Sequence, residues 1–184
     1  MTMTMNPHME HIAEVVSQFN LARNLTMDQV RILCRHLQQT RFEAQQVIYR
    51  QGSPENSDLI ILIDGSVDVV RELPEAISPS SSVARLGGGD TVGILGFVDA
   101  RPHSATAIAT SRVEALSLSR KTFAHMVQKH PDIAIVLLAN LIVIAADIAY
   151  EMLGRHADAM LYLHGAFNRS PLPGDDREPG HPAL

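Results

Sequence analysis

A single cysteine and no tryptophan occur in 184 residues, and aromatic residues make up only 4% of the chain. The lone cysteine, Cys34, excludes an intramolecular disulfide and any zinc site built on cysteine pairs. It falls within a helical pattern, as a small apolar residue would. With so few rings available, the core has to be built from Leu, Ile, Val, Ala and Met. Positive charge is scarce as well: Lys121 and Lys129 are the two lysines, the remaining cations are arginines, and the formal net charge is −5. That balance argues against direct binding of duplex DNA, since neutralising phosphates requires a basic face. The N-terminal stretch lacks the basic segment and apolar run of a signal peptide, which points to a cytoplasmic protein.

Enzymatic motifs are missing too. There is no nucleophile elbow, no phosphate-binding P-loop and no HExxH metal motif, so no catalytic residue is assigned. The run Gly87, Gly88, Gly89 is not followed by a Lys-Ser/Thr pair and reads as a tight turn. The nine histidines show no metal-ligand spacing. His8 and His11 are three apart but lie next to the terminus, and no metal site is assigned.

What the chain does have is order along its length. Residues 8–20 read as an amphipathic helix with Ile12, Val15, Val16 and Phe19 on one face. Thr26 is a helix N-cap, with Asp28 in the first turn, and Val30, Leu33, Cys34 and Leu37 follow at helical spacing. From about Thr40 the pattern turns to short β-rich runs separated by turn signals. Asp64-Gly65 between two aliphatic runs predicts a hairpin. The stretch 73–82, rich in Pro and Ser, predicts a loop. Many short strands at regular spacing indicate an all-β sandwich or barrel. From Lys121 the helical period returns in a short helix, stopped before Pro131. A long helix then starts at Pro131, where proline suits a first turn, and runs to about Phe167. Residues 168–184 hold four prolines and no apolar periodicity, and read as a disordered tail.

The stretch 133–149, IAIVLLANLIVIAADIA, is interrupted by Asn140 and Asp147 alone. It is slightly shorter than the roughly 20 apolar residues that span a bilayer. An all-round apolar helix of this kind is expected to be buried between its own domain and a partner chain, with no membrane insertion.

Several motifs then fall in one order. Gly52, LIIL at 59–62 and GSV at 65–67 come first. Leu86, Gly89, Asp90, Val92 and Gly93 follow. SATA at 104–107 comes next. Phe123, HPDIA at 130–134 and LLANL at 137–141 close the series. Together they resemble the cyclic-nucleotide-binding domain superfamily, especially the effector half of Crp/Fnr-type regulators. The resemblance implies an α+β fold: a cyclic-nucleotide-binding-like β-roll (jelly roll) with N-terminal helices and a long C-terminal dimerisation helix. It implies four segments: a helical segment over 1–24, the roll over 25–130, the dimerisation helix region over 131–167 and the tail over 168–184. No DNA-reading domain is expected after the helix.

The departures from the family pattern carry the functional expectation. The family's phosphate-binding cassette runs Gly-Glu-Leu-Ala-Leu, a variable stretch, then Pro-Arg-Ser-Ala. Here the aligned residues are Gly93, Ile94, Leu95, Gly96 and Phe97, then Pro102, His103, Ser104 and Ala105. The family's glutamate, which accepts from the ribose hydroxyl, is replaced by Ile94. Its arginine, which pairs with the cyclic phosphate, is replaced by His103. Hydrogen bonds to charged groups contribute about 1.5–3 kcal/mol each, so losing both weakens a cyclic nucleotide by roughly two to four decades. Weak or no cyclic-nucleotide binding is therefore expected, with Arg101 as a candidate phosphate contact. The double change Ile94→Glu with His103→Arg is expected to restore binding.

The expected function is a non-enzymatic regulatory or adaptor module, a homodimer with an unknown protein partner. A stand-alone receptor that holds a cyclic nucleotide or other small ligand by different contacts, and a structural subunit of a larger assembly, stay open beside it. The dimer seam is drawn through Leu137, Asn140, Leu141, Ile144, Asp147 and Ile148, with Asn140 and Asp147 fixing the register. Charge placed at Leu141 or Ile144 is expected to break the dimer.

Overall fold

The computed structural model describes residues 7–53, 58–72 and 81–167. Two helices open the chain: α1 (Pro7–Val16) and α2 (Met27–Arg35). Strands β1 (Gln38–Phe42), β2 (Val47–Tyr49), β3 (Leu59–Asp64), β4 (Val67–Arg71), β5 (Ser81–Leu86) and β6 (Thr91–Val92) follow. Helix α3 (Ile94–Asp99) then precedes β7 (Thr106–Ala109) and β8 (Val113–Leu118). Helices α4 (Arg120–Lys129) and α5 (Pro131–Phe167) end the described chain. The expected tail and most of the expected Pro/Ser-rich loop, residues 73–80, lie outside the described residues.

The strands form two four-stranded antiparallel sheets, ordered β1-β8-β3-β6 and β2-β7-β4-β5, which makes a jelly roll. One expectation is overturned here. Asp64-Gly65 does not close a hairpin. β3 pairs with β6 and β8, while β4 pairs with β5 and β7. The turn instead carries the chain from one sheet to the other. A second crossing, between β7 and β8, lies against it. The Thr110 N–H donates to the Ser66 carbonyl at 2.8 Å, and the Ser66 N–H donates to Ser111 Oγ at 3.0 Å. A turn dipeptide reports a change of direction, not which strands pair, and here the paired corner supplies the hydrogen bonds a hairpin would have made.

Two apolar clusters result. Ile60, Leu62, Val67, Val92, Ala107, Ala109, Val113 and Ala115 pack together with Ile48 and Tyr49 in one. The other face of β3 and β8, through Leu59, Ile61, Leu116 and Leu118, packs against α1, α2, α3, α4 and the start of α5. The period-2 alternation along β3 divides its side chains between the two clusters.

The helices follow their caps. Thr26 and Gln29 form a capping box: each side chain accepts the other's backbone N–H, at 2.9 Å and 3.3 Å. Helix α1 stops at Val16, earlier than its apolar spacing predicts. The chain then makes a short 3₁₀ turn, Asn20–Ala22, that buries Leu21 and Ala22. β1 went unpredicted because its sequence, QQTRF, is polar; it pairs along the exposed edge with β8 through the backbone.

The chain divides into two compact units, Met1–Ala145 and Ala146–Leu184. The first thus includes the opening turns of α5. There Ile133, Leu137 and Leu141 are fully buried, and Asn140 donates to the Leu21 carbonyl at 2.8 Å and the Arg23 carbonyl at 2.7 Å. The described part of the second unit is the outer length of α5. By length and composition, Pro131–Gly154 is long and apolar enough to cross a membrane, so the apolar stretch is not short as its sequence suggested. Its inner turns are core helix of the first unit.

Candidate functional site

The cassette is built on the exit from β6. Gly93 has φ +87°, and a Cβ there would meet the Tyr49 ring at 3.0 Å and the Asp58 carbonyl at 3.1 Å. This left-handed residue is the N-cap of α3. The helix presents Ile94 and Phe97 inward, where both join the helical core. Leu95 and Val98 face outward, 61% and 53% exposed. Ala100, also left-handed, ends the helix.

His103 is turned into the protein. It is 8% exposed, with its ring stacked on Tyr49 at a centroid distance of 4.1 Å and an interplanar angle of 23°. On the helix side the imidazole lies under Gly96, whose missing Cβ would stand 3.1 Å from its Cε1. The backbone is pinned as well. The His103 carbonyl accepts the Gly52 N–H at 2.8 Å, and the His103 N–H donates to the Ser53 carbonyl at 3.3 Å. Beyond it Thr106 Oγ1 accepts the Gln51 N–H at 3.0 Å.

Tyr49 completes the floor. It is 5% exposed, and its hydroxyl donates to the Asp58 carbonyl. Burial, and secondarily the Asp58 carboxylate, pushes its phenol well above the ordinary range. Burial also raises the Asp58 carboxyl. Sequence reasoning missed Tyr49. Its signal was an aromatic residue, rare in this chain, at the end of a short strand just before Arg50, Gln51 and Gly52.

Arg101 points away. Its guanidinium is held by Asp99 at 2.6 Å, and its side chain is 81% exposed. The Arg101 backbone N–H, then its guanidinium, holds the Asp99 carboxyl below the usual carboxylate range. From α4, Arg120 donates to the Gly96 carbonyl at 3.3 Å, a second cation at the cassette that sequence reasoning did not single out. Ser104 is exposed and Ala105 half-buried on the way into β7. Among the described residues no three His, Cys, Asp or Glu side chains stand together as metal ligands.

Residues 39–130 match the family profile of the cyclic nucleotide-binding domain. The chain belongs to that family. Among characterised relatives, a cAMP-dependent protein kinase regulatory subunit from Mycosarcoma maydis is 29% identical over 125 residues, covering 62% of this chain and 23% of the relative. A CRP-like cAMP-activated global transcriptional regulator from Mycobacterium tuberculosis is 23% identical over 125 residues, covering 68% of this chain and 54% of the relative. The chain thus spans about a quarter to about half of the length of these relatives. Among solved structures, a cyclic nucleotide-binding domain from Methylobacillus flagellatus superposes with a TM-score of 0.71 at 22% identity, over 80% of this chain and 82% of the other. The Thermus thermophilus catabolite activator protein gives 0.61 at 24% identity, over 79% and 63%.

Within this cyclic nucleotide-binding domain, the cassette residues Gly93, Ile94, Leu95, Gly96, His103, Ser104 and Ala105 do form one continuous turn-helix-turn against β2. The helix residues sort differently. Leu137, Asn140 and Leu141 face their own core, Ile144 is half-buried, and Asp147 and Ile148 are exposed. A seam drawn through Asn140 therefore needs revision: both of its amide bonds are made to its own chain.

Proposed function

We propose that this domain is a non-enzymatic regulatory module of the cyclic nucleotide-binding family whose cassette no longer holds a cyclic nucleotide at physiological concentration. It works in the cytoplasm as a dimer, through contacts with another protein. The observation that carries this reading is the pair Ile94 and His103. Ile94 is 5% exposed and packed in the helical core, so it offers no acceptor to a ribose hydroxyl. His103 is turned onto Tyr49, so it offers no fork of donors to a phosphate. A ribose and an anion entering here would shed water without replacement bonds.

Isothermal titration tests the reading. The domain should bind cAMP and cGMP with a dissociation constant nearer millimolar than micromolar. Micromolar binding by the unmodified protein would overturn it.

Dimerisation belongs to the same reading, with a second copy of the chain as the occupant of the open face of α5. In the first unit that face carries Ile135 and Ile142, each 67% exposed, and Val143, 53% exposed. In sequence, Ile135, Ala139, Ile142, Ala146, Ala149 and Leu153 recur at alternating spacings of four and three, the heptad pattern of a self-pairing helix. The inward row through Leu137 and Leu141 is already used by the domain itself. With a formal net charge of −5, the module is proposed not to bind duplex DNA directly.

A further inference from the structure

We infer that Tyr49 is the residue that closes the cassette, so that changing the two aligned cassette positions alone does not reopen it. This rests on the reading of a degenerate cassette and extends it to a residue outside the motif. The residue aligned with the family's phosphate-pairing arginine, His103, lies between Gly96 and β2, and its imidazole fills the space there. That ring is held in place from the far side by the Tyr49 ring, 4.1 Å away and nearly parallel. Tyr49 is itself fixed at three points: its hydroxyl bonds the Asp58 carbonyl, its ring edge rests on Gly93, and its strand pairs with β7. A guanidinium at position 103 is longer than an imidazole and needs the volume the phenol ring now takes. It would either be turned out to solvent or displace Tyr49, breaking a buried hydrogen bond. Tyr49 is therefore a specificity residue for the whole site: it excludes a phosphate whatever residue stands at 103.

The experiment compares two folded variants by titration with cAMP. One carries His103→Arg, with Ile94 kept because it is buried in the helical core and a glutamate there would cost the fold. The other adds Tyr49→Leu. The added leucine should tighten binding by at least about tenfold, since it frees the slot for the guanidinium and the phosphate together. Adding Tyr49→Phe instead, which keeps the ring, should give no such gain. Equal affinity with and without Tyr49→Leu would overturn the assignment of Tyr49, while leaving the weak binding of the unmodified protein in place. Micromolar binding by the unmodified protein would overturn both. Should the leucine variant fail to fold, Tyr49→Met beside His103→Arg asks the same question: it also removes the ring and should tighten binding, and equal affinity with and without it would overturn the assignment.

Discussion

At Gly65 the backbone has φ +93°, and a Cβ there would meet Val113 Cα at 2.8 Å and the Arg112 carbonyl closer still. The glycine marks the point where the two sheet-crossing corners touch, so it is fixed by tertiary packing as well as by turn geometry. Gly65→Ala should lower stability in urea unfolding by at least about 2 kcal/mol, the cost of a strained left-handed residue plus the displaced corner. Gly154→Ala, with open space around it on α5, should hold or raise stability. A Gly65→Ala variant as stable as the parent would show that the corners are not in contact. Ile94 and His103 stood out by position, because motif order alone aligns them. The burial of His103 did not, because it depends on Tyr49, more than fifty residues earlier in the chain, and no local pattern encodes that meeting.

Helix ends and caps were legible where their signal is local. Thr26 caps α2 as read, and Pro131 opens α5. The face that α5 turns inward was not legible, because the helix is apolar nearly all round and periodicity cannot rank its sides. Asn140 shows the consequence: its spacing suited a seam, yet it closes the carbonyls of the turn after α1. Three histidines meet where α2, α4 and α5 converge. The His36 ring lies 6.3 Å from His125 and 5.7 Å from His130. Burial, then the charges of His130 and His125, hold the His36 imidazole below its ordinary value. The Asp132 carboxylate, held low chiefly by Gln29, is the acidic group beside His130. An imidazole with a lower pKa folded than unfolded takes its proton more readily once unfolded, so acid favours unfolding. This contribution is whole above about pH 6.5 and is lost as the pH falls below it. Asp132, Glu10 and Asp68 remain ionised across that window, since their partners hold them low. Melting temperature should fall between about pH 7 and 5.5, and His36→Asn should flatten the slope. An unchanged slope in that variant would remove the histidine cluster from the account.

For the whole molecule, the fold class was legible from the order of motifs, while strand pairing was not. The proposed dimer uses the face of α5 that the first unit leaves open. Light scattering should find a dimer, and Ile142→Glu should give a folded monomer, because that side chain is two-thirds exposed and takes no part in the core. Charge at Leu141, 1% exposed, should instead unfold the domain and says nothing of the seam. A monomeric parent at high concentration would contradict the dimer. Whether the cassette has given up cyclic-nucleotide binding can be read from the amide signals of Gly93, Ile94, Gly96, His103 and Ala105, followed by NMR while cAMP is added to the unmodified protein. No shifts are expected, or small ones still rising linearly at about millimolar ligand. Shifts of these same amides that saturate in the micromolar range would contradict that loss of binding.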